Sequence, residues 1–310
     1  MRMWTKNYEQ KTGDHIAYEA TGSGIGVDNL EKGKRNFALT DMPYSQAILN
    51  EHHWVQFPMM VSMVDIVYNL PGVNKPLILS GPIIADMYLG RIVWWDNAAI
   101  KKLNPGITLP HKKIVLMYRD VESGTTYAFS HYLSEVSDKW TSIHDGTLKL
   151  VDLPPNAVGE RLSSTLAMSV KNAPYSIGYV SDRYAQNQHL EKAELINHDG
   201  LAVAPTMLNA YAALVNIPDD GHGMLTKVVN LPGTESWPIV ATTFMLVPEH
   251  AKSQSTTSSI LKFCSWVLMS GNKEALKLRY IPVPHSFRTQ IRELWRVNFP
   301  KVKLDYSDFF

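Results

Sequence analysis

Only one cysteine stands in the 310-residue chain, so no disulfide can close within it and cysteine usage says nothing of the redox compartment. Cys264 lies in the apolar helical run Leu261-Lys-Phe-Cys-Ser-Trp-Val-Leu-Met269, which predicts a buried packing thiol and not a nucleophile. An excess of either charge is also missing. Thirty Lys and Arg against 29 Asp and Glu leave a net charge of +1, which provides no global field for nucleic acid or anionic membrane and makes any anion site local. No apolar run reaches membrane-spanning length, and Met1-Arg-Met-Trp-Thr-Lys lacks the apolar stretch of a secretory signal, so the chain reads as soluble. Metal and hydrolase signatures are absent as well. His52-His53 has no third ligand at metal spacing, H-E-x-x-H does not occur, and Ser123 is not in a G-x-S-x-G elbow. Trp94 and Trp95 read as packing residues, not a base-stacking platform.

What is present is a chain with 45% hydrophobic and 19% charged residues, long enough for two domains. It opens helix-like, with Trp4 and Tyr8 four apart and a stop at Lys11-Thr12-Gly13. A strand is expected at His15 to Glu19, then the glycine turn Thr21-Gly-Ser-Gly-Ile-Gly26, a short helix to Gly33 and a second strand from Asn36 to Thr40. That strand, helix, strand order predicts a parallel sheet. Trp54 to Leu70 has the composition of a buried strand and stops at Pro71-Gly72. Helical spacing of Ile83, Met87 and Tyr88 follows, with a crossing into a second domain near Leu70. Ile114 to Tyr118 predicts a strand, and Phe129, Tyr132, Leu133 and Val136 form one helix face beyond it. Pro174 to Val180 reads as a turn into a strand, Trp237 to Val247 as a long strand returning to the first domain, and Thr256 onward as helical. The fold class is α/β in two lobes.

Two loops have anion chemistry. Glu122-Ser123-Gly124-Thr125-Thr126 feeds a helix N-terminus, where unpaired N–H groups and the positive dipole end favour an anion. Residue preference alone favours a plain helix cap there, but Arg119 lies four residues upstream, and a guanidinium in reach of the same loop can clamp an oxyanion. Pairing of Arg119 with Asp120 or Glu122 is the competing reading. The loop around Ser23 can also present N–H groups and a hydroxyl. It spells G-x-G-x-G, not G-x-G-x-x-G, although Asp41 follows at the distance of a ribose acid, so a nucleotide site stays open. Asp41, at a strand end, is either a turn cap or a carboxylate that accepts a hydrogen bond from an oxyanion retaining a proton, which selects phosphate over sulfate.

Several collinear stretches resemble the PstS-like family, the periplasmic phosphate-binding proteins of phosphate ABC transporters. They are Tyr18 to Val27 with Asn36-Phe-Ala-Leu-Thr-Asp41, Asp86 to Asp96 with Leu103-Asn-Pro-Gly106, Arg119 to Thr125, Ser176-Ile-Gly-Tyr-Val180 and Trp237-Pro-Ile-Val-Ala-Thr-Thr-Phe244. The resemblance implies a two-lobed periplasmic-binding-protein-like fold, lobes of mixed α/β sheet joined by a hinge, with residues 1–70 and 239–310 in lobe I and 71–238 in lobe II. It implies inorganic phosphate held in the cleft by Ser23 and Asp41 of lobe I and by Arg119, Ser123, Gly124 and Thr125 of lobe II. A monomer handing phosphate to a membrane permease is expected, periplasmic or secreted, without enzymatic activity, metal, cofactor or nucleic-acid partner.

Three departures qualify the match. Family members begin with a further strand and a glycine-rich loop ending near Thr-Phe-Pro, and this chain starts after that point, inside a helix, which reads as truncation. The aspartate expected two residues after the arginine is Val121. Leu162-Ser-Ser-Thr165 stands where a Gly-Asn-Asp-Gly-like turn is expected. Losing one or two charge-assisted hydrogen bonds, at about 1.5–3 kcal/mol each, predicts weakened phosphate binding. A phosphoryl- or nucleotide-handling enzyme, and an adhesive or signalling relative with a degenerate cleft, are the alternatives.

Overall fold

Val, Ile, Met and aromatic residues run almost without interruption from Trp54 to Asn69, and in the computed structural model this stretch is one 16-residue strand with nearly every position buried. A strand covered on both faces reads as a continuous apolar run, because neither face alternates with solvent. The structure describes residues 1–217, 224–226, 228–250, 253–302 and 304. They divide into two compact units, one formed by Met1–Val61, Asp220–Thr226 and Thr242–Phe310, the other by Ser62–Asp219 and Lys227–Ala241. Two strands, Trp54–Asn69 and Val240–Pro248, each contribute residues to both units.

In the first unit, Ala38–Thr40 pairs with the returning strand Val240–Pro248 in the register Ala38 to Leu246 and Thr40 to Phe244. The pairing is antiparallel, against the parallel sheet expected, because the ladder partner returns from late in the chain. The segment His15–Glu19 is not a strand. Among the described residues it joins no ladder, and only Ile16 is buried, with Tyr18 half-buried, too little apolar surface to dock an edge whose backbone groups need partners. The opening helix Arg2–Thr12 ends at Gly13 with φ 80°, the left-handed cap that glycine adopts without steric cost. Trp4 Nε1 donates to Gly271 O at 3.0 Å, and Tyr8 meets Phe263 edge-on at 5.3 Å, fixing that helix on Gln254–Ser270. Cys264 is fully buried on the latter helix and its thiol pKa is raised by burial, as a packing residue requires.

In the second unit, the end of Trp54–Asn69 pairs antiparallel with Ser176–Ser181, which runs parallel to Val115–Arg119, which in turn runs parallel to Ala157–Glu160. The helices Gly124–Val136 and Ser163–Asn172 pack on this sheet. Gly178 lets Met117 and Leu166 approach to 3.1 and 3.0 Å of where a Cβ would stand. Phe129 stacks on Tyr179 at 4.1 Å. Trp237, fully buried, donates to Val64 O at 3.1 Å.

Asp65, on the long strand, and Asp182 are fully buried around Lys192, whose ammonium lies 3.3 Å from Asp65 Oδ2 and 3.0 Å from Asp182 Oδ1 and donates to Pro205 O at 2.8 Å. Burial raises the Asp65 pKa well above its ordinary value, while Lys192 pulls it down and Asp182 pushes it up. The folded protein therefore holds that proton to higher pH than the unfolded chain does, and the stability this contributes in acid is lost as pH rises through the folded pKa. Lys192→Met removes the opposing cation. Urea denaturation should show a loss of about 3–5 kcal/mol at neutral pH and a smaller loss at mildly acidic pH; an equal loss at both would show that the charge is not what matters.

Candidate functional site

The residues expected to hold an anion fall at two helix N-termini, one in each unit. In the second unit, Arg119 closes the strand Val115–Arg119 and the helix Gly124–Val136 opens five residues later. Ser123 sits at the N-cap position, yet its side chain makes no capping bond. Its Oγ accepts from Arg119 Nη1 at 3.1 Å instead, so the cap reading fails. The first intrahelical bond runs from Tyr127 N–H to Ser123 O at 3.0 Å, which leaves the N–H groups of Gly124, Thr125 and Thr126 ahead of any acceptor within the helix. Gly124 is buried and Thr125 half-buried.

Arg119 is itself buried, 7% exposed. Besides Ser123, its Nη1 donates to Ser163 Oγ at 2.9 Å and its Nη2 to Arg161 O at 2.6 Å. Among the described residues the side-chain hydrogen bonds found for the guanidinium all go to neutral oxygens, and its Nε has no hydrogen-bond partner. Asp120 and Glu122 therefore do not replace the missing aspartate at Val121. Neutral oxygens do, one of them, Ser163 Oγ, from the segment where the sequence departs from the family pattern and another, Arg161 O, from the residue just before it. Burial lowers the Arg119 pKa, with Tyr179, Tyr184 and Asp120 opposing, but a guanidinium stays protonated. Tyr179 fixes the strand end: its hydroxyl accepts from Arg119 N–H at 3.3 Å and meets Thr126 Oγ1 at 2.8 Å.

In the first unit the helix begins inside the glycine stretch, at Ser23, and extends to Glu31, with Gly22 at φ 93° as N-cap. Its first internal bond joins Gly26 N–H to Gly22 O at 3.0 Å, so the N–H groups of Ser23, Gly24 and Ile25 precede it. Asp41 N–H donates to Ser23 Oγ at 3.3 Å, which ties the two expected ligands together. The Asp41 carboxylate accepts from Thr243 Oγ1 at 2.6 Å through Oδ1. Burial raises the Asp41 pKa and the Thr243 hydrogen bond opposes this. Among the described residues no strand precedes the glycines, and the following strand is paired antiparallel, so this loop lacks the context of a dinucleotide fingerprint.

Within each unit, then, the expected residues come together: Arg119, Ser123, Gly124 and Thr125 in one, Ser23 and Asp41 in the other. Thr243, Ser163, Arg161 and Tyr179 were not foreseen. Paired threonines inside the apolar run of Trp237 to Val247 were a usable signal, since a buried hydroxyl needs a partner. A further difference concerns residues that belong to neither loop. His53, expected to lack companions, meets Glu249 and His250, with one ligand atom from each residue within 4.8 Å of the others.

A model of the PBP superfamily domain matches residues 1–270. The phosphate-binding protein PstS of Pasteurella multocida is 34% identical over 295 residues, covering 94% of this chain and 85% of that protein. A phosphate-binding protein from Stenotrophomonas maltophilia, solved by X-ray crystallography, is similar in fold with a TM-score of 0.69 at 16% identity, over 90% of this chain and 87% of that one. An ABC-type phosphate transport receptor from Vibrio cholerae matches with a TM-score of 0.61 at 17% identity, over 91% and 94% of the two chains.

Removing the Thr243 hydroxyl tests the electrostatics of Asp41. In Thr243→Val the Asp41 pKa should rise further, read by carboxyl chemical shift against pH. A raised acid stabilises the fold in acid and loses that contribution as pH rises through the folded pKa. The variant should therefore lose about 1–3 kcal/mol at neutral pH and less in acid; an unchanged Asp41 titration would refute the coupling.

Proposed function

The chain belongs to the PstS-like family of phosphate-binding proteins within the PBP superfamily, and we propose that it binds inorganic phosphate and delivers it, as a monomer, to the membrane permease of an ABC-type phosphate transporter. The observation that carries this reading is Arg119: a buried cation held only by neutral oxygens, beside the open N-terminus of Gly124–Val136. A buried charge without a counter-charge is costly, and an oxyanion supplies the missing partner. Ser123, Gly124 and Thr125 add hydroxyl and N–H donors, and Ser23 and Asp41 contribute from their own unit. Asp41 Oδ1 is engaged by Thr243. Its second oxygen, in the carboxylate form, is the acceptor for a phosphate proton, a contact that sulfate cannot return.

The reading is one of binding and not of catalysis, because Ser123 Oγ is hydrogen-bonded to a guanidinium, which cannot take its proton. The relatives' names, a phosphate-binding protein and an ABC-type phosphate transport receptor, support the permease as partner. Among the described residues no helix is long and apolar enough to cross a membrane, and periplasmic or secreted placement goes with the proposed role.

Titration calorimetry with phosphate and sulfate tests the proposal. The chain should bind phosphate in preference to sulfate. Arg119→Ala should weaken phosphate by about 2–5 kcal/mol, whereas Asp41→Asn should narrow the preference between the two anions. A chain that binds neither anion while folded, or an Arg119→Ala variant of unchanged affinity, would overturn it.

A further inference from the structure

The returning strand Val240–Pro248 ends beside the start of Trp54–Asn69, and the Glu249 N–H donates to His53 O at 2.8 Å. That bond joins two segments almost 200 residues apart in sequence and lays three metal-ligating side chains side by side. His53 caps the helix Gln46–His52 in the left-handed conformation, φ 53°. Its Nδ1 lies 3.9 Å from Glu249 Oε2, and its ring centre is 5.6 Å from that of His250, tilted by 46° and so not stacked on it. One nitrogen or oxygen from each of His53, Glu249 and His250 lies within 4.8 Å of the other two.

We propose that His53, Glu249 and His250 form a surface site for a divalent transition ion of the Zn²⁺ class, with water completing the coordination. Two imidazoles and a carboxylate are the donor set that suits Zn²⁺, and three protein ligands leave a fourth position for water. Ligand bonds near 2.0–2.2 Å place tetrahedral donor atoms about 3.3 Å apart, so small side-chain rotations bring the three into place. An ion pair does not account for the cluster. At 3.9 Å the His53–Glu249 contact is too long for a hydrogen bond, exposed pairs contribute little, and His250 has no part in it. The neighbouring His52 is occupied differently, stacked on Trp54 at 4.4 Å.

The site shares no residue with the proposed phosphate-binding groups and does not rest on that reading. Calorimetric titration of the metal-free chain with Zn²⁺ should show one saturable site, and saturating Zn²⁺ should raise the thermal unfolding midpoint. His250→Ala and Glu249→Gln should each weaken Zn²⁺ by more than about tenfold, since even indirect supports of a metal ligand change affinity by roughly 10–100-fold. His53→Asn, which tolerates the left-handed backbone, should do the same, and His52→Ala should leave Zn²⁺ affinity unchanged. Unfolding of each variant without metal checks that it is folded. Absence of saturable binding, or affinity unchanged in folded His250→Ala and His53→Asn, would overturn the assignment.

Discussion

Burial of both faces of Trp54–Asn69 is the constraint from which the other arrangements follow. The register of a strand without a solvent face is pinned by packing on both sides, because a one-residue shift would turn Asp65 away from Lys192 and replace every close-packed contact. Its pairing with Ser176–Ser181, Val64 opposite Ser181 and Asn69 opposite Ser176, thereby fixes where Tyr179 stands. Tyr179 in turn receives the backbone N–H of Arg119. The position of the guanidinium is thus set by a ladder two strands away. The same burial explains Lys192: a carboxylate such as Asp65 on a strand with no wet face requires a cation brought to it from elsewhere in the fold.

The brace around Arg119 has an electrostatic consequence. A carboxylate partner would orient the guanidinium and also cancel much of its charge. The carbonyl of Arg161 and the hydroxyls of Ser123 and Ser163 orient it through dipoles, and the net positive charge remains. This exchanges part of the arginine's own stabilisation for attraction toward an anion. Loss of the aspartate at Val121 is therefore not simply a defect in the site, since orientation and charge are supplied by different groups.

Much of this was legible in the sequence where one local rule decided the outcome. The strand over Trp54–Asn69 followed from a long apolar segment rich in β-branched and aromatic residues, the end of the first helix from Gly13, and the packed face of Gly124–Val136 from helical spacing. Arg119 and the loop after it could be read together because Ser123, Gly124 and Thr125 follow it by only four to six residues. Partners that are distant in the chain could not be read in this way. Thr243 lies 202 residues from Asp41, Ser163 44 from Arg119, and His250 almost 200 from His53. No periodicity encodes such contacts, as they depend on which strand returns beside which. The strand expected at His15–Glu19 failed for the complementary reason: alternation is a local pattern, but a strand also needs a neighbour.

Thr243 shows how one such distant contact bears on selectivity. Burial alone favours the neutral form of Asp41, and a neutral carboxyl group is a donor as well as an acceptor. As a donor it would accept any oxyanion, protonated or not, and its discrimination would disappear. The hydroxyl of Thr243 donates to Oδ1 and so favours the charged form against burial. It also fixes which oxygen is engaged, and in the proposed site the other is left to accept a ligand proton. The proposed discrimination between anions of similar size and shape would then rest on a hydrogen bond between two residues of the same unit, Ala38–Thr40 and Val240–Pro248 being paired so that Asp41 and Thr243 meet at the end of their shared ladder.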